Sequence, residues 1–340
     1  MLQDTRMLDD RPAGQVKRMD DMRKKIIILL LLMLGSGLTA VVPIVARGVF
    51  APRQEADGAF DAHVVRPAYV KQHPRVLFDE GHNNVYTSTG RYKPFADLIG
   101  SDGYKLEPAG ENFTRKLLEG YDVLVIVDAS GPREQRAAPA FTEAECDAVR
   151  DWVKNGGALL LITDHAPFGS AAAPLTRRFD VGVTAGFTID TSEYNKESGD
   201  ETELVFAGDK GLAGEHPIIK GRDEKERIIR VMTFSGTSLK GSKESVALLK
   251  LGDTAKDILP SDHEPTAPGQ AADHKTVSAS GRAQAIALAF GKGRVVVLSE
   301  AAMLTAQVAP AGFRFGMNIA GTDNRQLALN IMHWLSGLLK

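Results

Sequence analysis

The stretch RVLFDEGHNN (residues 75–84) runs from a short apolar segment straight into two acids, a glycine, a histidine and two amides. An apolar run of that length, closed by turn-forming residues, reads as a buried strand. The pattern recurs downstream. Residues 76–78, 104–106, 123–127, 158–162, 285–289 and 295–298 are strand-like, while helical periodicity falls at 92–99, 114–119, 142–154 and 171–179. Such alternation predicts an α/β fold, a doubly wound and mostly parallel sheet built from successive crossover units. Asn155-Gly-Gly157 stops one helix and leads directly into the next strand. The closing helix, 324–339, carries Leu327, Ile331, Trp334, Leu335 and Leu338 on one face and should pack on the sheet. Between these parts, 183–189, 204–206, 228–234 and 246–251 are strand-like with little helix between them, which predicts an antiparallel extension. Residues 253–282 read as an exposed insertion.

At 340 residues, 43% hydrophobic and 25% charged, the chain has a foldable composition. A net charge of −2 gives no clustered basic surface for a polyanion, so nucleic acid is not an expected partner. Cys146 is the sole cysteine, which excludes an intramolecular disulfide and a multi-thiolate zinc site. Its neighbours Ala144, Ala148, Val149, Trp152 and Val153 repeat at helical spacing, so it reads as a packed helical residue.

Residues 26–46, IIILLLLMLGSGLTAVVPIVA, contain no charge and are about the 20 residues needed to span a bilayer. Lys17, Arg18, Arg23, Lys24 and Lys25 precede them, which predicts a cytoplasmic tail (1–25), a single-pass anchor in the cytoplasmic (inner) membrane, a stalk (47–73) and an extracytoplasmic domain (74–340). A cleaved signal peptide starting at Met19 or Met22 and ending at Ala46 is the alternative, giving a secreted domain.

In an open α/β sheet, ligands bind beyond the carboxyl ends of the strands. Those ends carry Asp79, Glu80, His82, Asn83 and Asn84 after the first strand, Asp128 after the third, Asp164 and His165 after the fourth, and Glu300 after the last. Carboxylates and imidazoles meeting in a cleft suit a divalent ion or acid–base work. Asp79, His82 and His165 are candidate ligands for zinc or manganese; Asp164, His165 and Glu300 are candidate catalytic groups. Glu80, Asn83, Asn84, Ser235 and Thr237 are candidate ligand-binding residues. Asp128 alone reads as a turn or helix cap, and His216 as structural.

At Leu161-Ile-Thr-Asp-His-Ala-Pro167 the chain resembles the class I glutamine amidotransferase-like fold of the DJ-1 and intracellular-protease group, where a strand enters a sharp turn bearing a nucleophilic cysteine. Asp164 stands at that position here, so the resemblance carries no thiol activity and no glutaminase. The chain looks closer to thiol-less branches: trehalose-utilisation-like proteins and the corresponding domains of gliding-motility auxiliary and intraflagellar-transport proteins. It also resembles a membrane-anchored bacterial family in its first strand end, its Gly-Lys-Gly-Arg-Val-Val-Val segment (291–297) and its Asn-x-x-His-Trp-Leu helix (330–335). Two functions follow. One is a tethered module binding a polar small molecule or carbohydrate, with a membrane-transport or envelope partner; the other is a divalent-metal-dependent hydrolase in which a metal-bound water attacks the substrate.

Overall fold

Side-chain alternation along the strands decides the layering. The computed structural model describes residues 54–208, 210–260, 274–309 and 312–340. The elements that position the site are β1 (Arg75–Asp79), α1 (Lys93–Ser101), β2 (Lys105–Ala109), β3 (Val123–Val127), α2 (Glu143–Lys154), β4 (Ala158–Ile162) and α3 (Phe168–Thr176). They are followed by β5 (Gly182–Val183), β6 (Leu239–Lys240), β7 (Val246–Lys250), β8 (Ala283–Phe290), β9 (Gly293–Leu298) and α4 (Asn324–Leu335). Val123, Val125, Val127, Leu160 and Leu298 point to one face with Phe95 and Leu98 of α1 and Ile331 and Trp334 of α4. Leu124, Ile126, Leu159 and Val297 point to the other, with Cys146 and Val149 of α2 and Leu175 of α3. Both faces are therefore apolar, as a helix-covered parallel sheet requires. Each such side chain contributes about 1.5–3 kcal/mol by leaving water.

The strand order is β2-β1-β3-β4-β9-β8-β6-β5, with β7 also paired to β8. From β2 to β9 every neighbour is parallel. From β9 onward the pairing is antiparallel. The central sheet is thus largely parallel with an antiparallel flank. Residues 285–289 and 295–298 do not belong to a crossover unit as their sequence suggested. Only Gly291 and Lys292 separate β8 from β9, and a parallel return needs a dozen or more residues, so these two strands form a hairpin. Pro108 is tolerated in β2 because that strand lies at the edge of the sheet.

Smaller antiparallel sheets complete the chain: Tyr194–Asn195 with Asp200–Ala207 and Arg230–Met232, and Phe187–Asp190 with Ala255–Ile258 and Thr276–Ser278. The segment expected as an exposed insertion thus begins and ends in paired strands, with Asp257 buried between them. The part of the expected stalk that is described also lies on the domain. Glu55–Ala56 pairs with Ala306–Val308, and Val64 and Ala68 donate backbone N–H bonds to Ser101 Oγ and Asp102 Oδ1, both at 2.8 Å. Asp102, which ends α1, also accepts from His333 Nε2 of α4 at 2.7 Å, and both side chains are sealed from solvent. The apolar segment 26–46 lies outside the described residues, among which no helix is long and apolar enough to cross a membrane.

Candidate functional site

Four parallel strands deliver chemistry to one edge. Asp79 ends β1, Asp128 follows β3 directly, and Asp164 and Glu300 come two residues after β4 and β9. Three rim residues, Asn83, Asp128 and Ser235, have positive φ (49°, 44° and 55°) without being glycine. Each such position costs about 1–3 kcal/mol unless the surroundings demand it, and such positions concentrate at functional sites.

His82 occupies a closed niche. Its Nδ1 meets Asp79 Oδ1 at 2.8 Å and its Nε2 meets Glu145 Oε1 at 3.0 Å. Its ring lies against Phe113 and Phe141, with centroids 4.6 and 4.8 Å away. Glu145 is the third helical residue of α2 and closes a capping box with Thr142, while its Oε1 also accepts from Phe113 N at 3.1 Å. Burial pulls the imidazole's pKa down, but the hydrogen bonds and charges of Asp79 and Glu145 outweigh it and hold the ring above its ordinary value. For Glu145, burial pushes upward and the Thr142 and Phe113 N–H groups with His82 more than offset it, leaving the carboxyl low. This is a buried imidazolium pinning the loop after β1 to the start of α2.

Asp128, Asp164 and Glu300 make a different group. All three are buried, at 2%, 6% and 0% exposure. Glu300 accepts from Ala302 N at 2.6 Å and Met303 N at 2.7 Å. Asp164 Oδ1 accepts from the backbone N–H and the Nδ1 of His165, at 2.6 and 2.7 Å, and its Oδ2 from Ala301 N at 3.2 Å. Asp128 differs: its Oδ1 is buried with no partner among the described residues. Burial, then the charges of Asp164 and Glu300, push the Asp128 carboxyl well above the usual range, with Arg91 and Arg136 only partly relieving it. Glu300 is pushed up for the same reasons, burial first and Asp164 next. Around them, Arg91 lies 4.1 Å over the Tyr86 ring, and burial followed by the charge of Asp128 raises the Tyr86 hydroxyl. His165 is exposed, its Nδ1 is held by Asp164, and its Nε2 has no protein partner among the described residues. Burial lowers its pKa, yet the hydrogen bond and charge of Asp164 win and raise it. The cluster therefore offers buried carboxyls, an oriented imidazole, a phenol and a guanidinium, a mixture of acceptors and donors suited to hydroxyl groups.

The residues named from sequence divide accordingly. Asp79, His82 and His165 do not form a metal centre. His82 has spent both ring nitrogens on carboxylates, His165 is bonded to Asp164, and among the described residues no three His, Cys, Asp or Glu side chains converge as an ion would need. Glu80 closes its own loop, accepting from Ser88 N and Oγ at 2.8 and 2.7 Å. Asn84 ties Asp79 Oδ2 to Val127 O, both at 3.0 Å. Ser235 Oγ donates to Thr202 Oγ1 and Thr237 Oγ1 to Thr184 O. Asn83 keeps only a long contact to Ser130 O, 3.4 Å. Asp164, His165 and Glu300 remain at the rim with Asp128, which caps no helix. Tyr86 and Arg91 had no sequence signal beyond their nearness to the first strand end. Cys146 is buried in α2, with burial pushing its thiol up to about 11. His216 caps the turn at Pro217–Lys220 through Nδ1, which accepts from Ile218 N.

No protein-family model matches the chain, and no curated protein matches it. Among solved structures it is similar to the mmIFT52 N-terminal domain, with a TM-score of 0.52 and 16% identity over 77% of this chain and 97% of that one. It is also similar to a ThuA-like protein from Bacteroides uniformis (TM-score 0.41, 15% identity, 79% and 94% coverage) and to a GMP synthase component from Thermoplasma acidophilum (0.41, 9%, 79% and 97%). At this identity, the first of these likenesses is one of fold alone.

Two outcomes follow from the two kinds of acid. His82 is raised from 6.5 and Glu145 lowered from 4.5. The His82 contribution is complete below pH 6.5 and is lost as pH rises through the higher folded value. That of Glu145 is complete above pH 4.5 and is lost as pH falls. His82→Ala should cost about 3–5 kcal/mol near pH 6, measured by denaturant unfolding, and the gap to wild type should narrow at pH 9. The sign is reversed for Asp128. A carboxyl whose folded pKa is raised costs no stability below its unfolded value of 3.8 and an increasing amount as pH climbs from there toward the folded value, so Asp128→Asn, which tolerates the same positive φ, should raise stability at pH 7 by about 0.5–2 kcal/mol. Loss of stability in a pH 7 thermal melt would contradict this.

Proposed function

We propose that the chain is a thiol-less amidotransferase-like domain that binds a polar, hydroxyl-rich small molecule of carbohydrate type at its carboxyl rim. Asp128 carries the proposal: a buried carboxyl oxygen left without a partner among the described residues, on a strained backbone, beside two more buried acids. A ligand hydroxyl donating to that oxygen would remove an unsatisfied group that otherwise costs about 1–3 kcal/mol. The half-exposed rim beside it supplies the complementary donors, His165 Nε2, the Tyr86 hydroxyl and Arg91. The resemblance read at residues 161–167, with Asp164 where that fold's thiol would stand, supports binding without thiol chemistry. A metal-dependent hydrolase drawing its ligands from Asp79, Glu80, His82, Asp164, His165 and Glu300 would have to do without His82 as it stands, since both its ring nitrogens meet carboxylates.

We further propose that residues 26–46 tether this domain to the inner membrane, the basic residues before them keeping the N-terminus cytoplasmic, so that the ligand is met outside the cytoplasm next to an envelope or transport partner. In fractionated cells the full chain should stay with the membrane pellet through an alkaline carbonate wash, and deletion of 26–46 should release it. Recovery of a shortened chain in the soluble extracytoplasmic fraction would favour cleavage.

The binding proposal is tested by titrating the detergent-solubilised full chain with mono- and disaccharides and linear polyols, followed by calorimetry. At least one should bind, with affinity falling about tenfold or more in Asp128→Asn and less in His165→Ala. Binding by none of them, or binding indifferent to Asp128, would overturn it.

A further inference from the structure

A separate cleft of about 480 Å³ opens where β6, β7 and β8 meet, and it shares no residue with the carboxyl rim. The volume lies within the roughly 300–1,000 Å³ usual for small-molecule sites. Its floor is apolar, made by Leu239, Ala247, Ala283 and Ile286, and its wall carries Lys240, Arg282, Ser242, Ser245 and Ser280. A Cβ at Gly241 would come within 2.1 Å of Ser245 Oγ, so that hydroxyl would have to turn aside.

Arg282 is fixed from behind. Its Nε donates to Ser238 Oγ at 2.6 Å, and its Nη2 donates to Thr184 Oγ1 at 2.8 Å and Ser238 O at 3.1 Å. Ser238 passes its own hydrogen to Asp257 Oδ2 at 2.6 Å, a carboxylate 4.0 Å from the guanidinium. Nη1 is left without a partner among the described residues. Burial works against the charged guanidinium, and Asp257 offsets this only in part. Ser242 Oγ lines the same cleft, is buried, and has no partner among the described residues. Lys240 is exposed at the mouth and pairs with no acid among the described residues. Ser245 and Ser280 are already spent on Ser242 O and Asp253 Oδ1.

We propose that this cleft binds a small aliphatic carboxylate, its oxygens held by Arg282 Nη1, Lys240 and Ser242. Three donors lining one cleft, two of them cationic, suit the two oxygens of one carboxylate, and the apolar residues lining the same cleft take a short chain that a bare oxyanion would leave uncovered. The site is independent of the sugar reading of the rim.

The test titrates the full chain in detergent with acetate, butanoate, hexanoate and inorganic phosphate, followed by ligand-observed saturation-transfer NMR. Affinity should rise from acetate to butanoate by about two- to fourfold for each methylene that reaches the floor. Lys240→Ala and Ser242→Ala should each weaken butanoate by about three- to tenfold without lowering the melting temperature, and Arg282→Gln should abolish it. Because Arg282 also braces Ser238 and Thr184, the first two variants decide the matter if the third misfolds. Equal affinity across the three carboxylates, phosphate competing as well as hexanoate, or butanoate binding unchanged in both Lys240→Ala and Ser242→Ala would overturn the assignment.

Discussion

An imidazole ring that donates one nitrogen to Asp79 and the other to Glu145 has nothing left for a ligand, and that commitment divides the rim of this sheet in two. On the His82 side every charged group has hydrogen-bond partners, the two carboxylates sharing one imidazole and several neutral donors. Asp79 holds Gly81 N, His82 and Asn84 as well, so the turn after β1 is folded around its carboxylate. Ser130 N donates to His82 O and Ser130 Oγ to Asn83 O, which laces that turn to the loop after β3. Removing one partner from such a closed set leaves a buried charge uncompensated, which is why its members act structurally despite their chemistry.

On the other side the accounts do not balance. Asp128, Asp164 and Glu300 bring three buried carboxyls together with no cationic side chain inserted between them among the described residues, and Arg91 and Arg136 only moderate the result. Gly236 makes this arrangement possible, since a Cβ there would come within 2.6 Å of both Glu300 Cβ and Ser299 O. Its backbone lies directly over Glu300 and seals it from water. A chain selected only for stability would have an amide or an apolar residue at Asp128. An ionisable carboxyl on a strained turn, with one oxygen lacking a partner among the described residues, costs stability that an amide would not.

Much of this was legible from the residues. The parallel half of the sheet, with β3 and β4 falling on 123–127 and 158–162, follows from apolar runs spaced by helical periods. The hairpin β8–β9 was missed because periodicity reports burial and not strand direction; the two-residue separation was the signal that should have decided it. The rim was legible as a place, since strand ends are fixed once the strands are. Which acids would pair there was not. His82 looked like a ligand because its partner Glu145 lies 63 residues away on α2 and reads in sequence only as part of a helix cap. Asp128 reads as a cap because nothing local reveals that its Oδ1 finds no partner among the described residues. Pairing is set by tertiary distance, which composition and spacing do not encode.

The turn after β4 sets an acid, Asp164, and an imidazole, His165, side by side at the rim. A carboxylate there could in principle attack, but Asp164 has given Oδ1 to the N–H and ring of His165 and Oδ2 to Ala301 N. Three donors stabilise the charge that an attacking oxygen would have to share, and they fix the side chain in place. What the turn exposes is not the acid but the imidazole it orients, a ring kept protonated to higher pH than usual by the carboxylate behind it. The group this turn presents to solvent is a hydrogen-bond donor. Asp128 keeps a buried acceptor oxygen that lacks a donor among the described residues, and under the proposed reading a hydroxyl-bearing molecule would supply it.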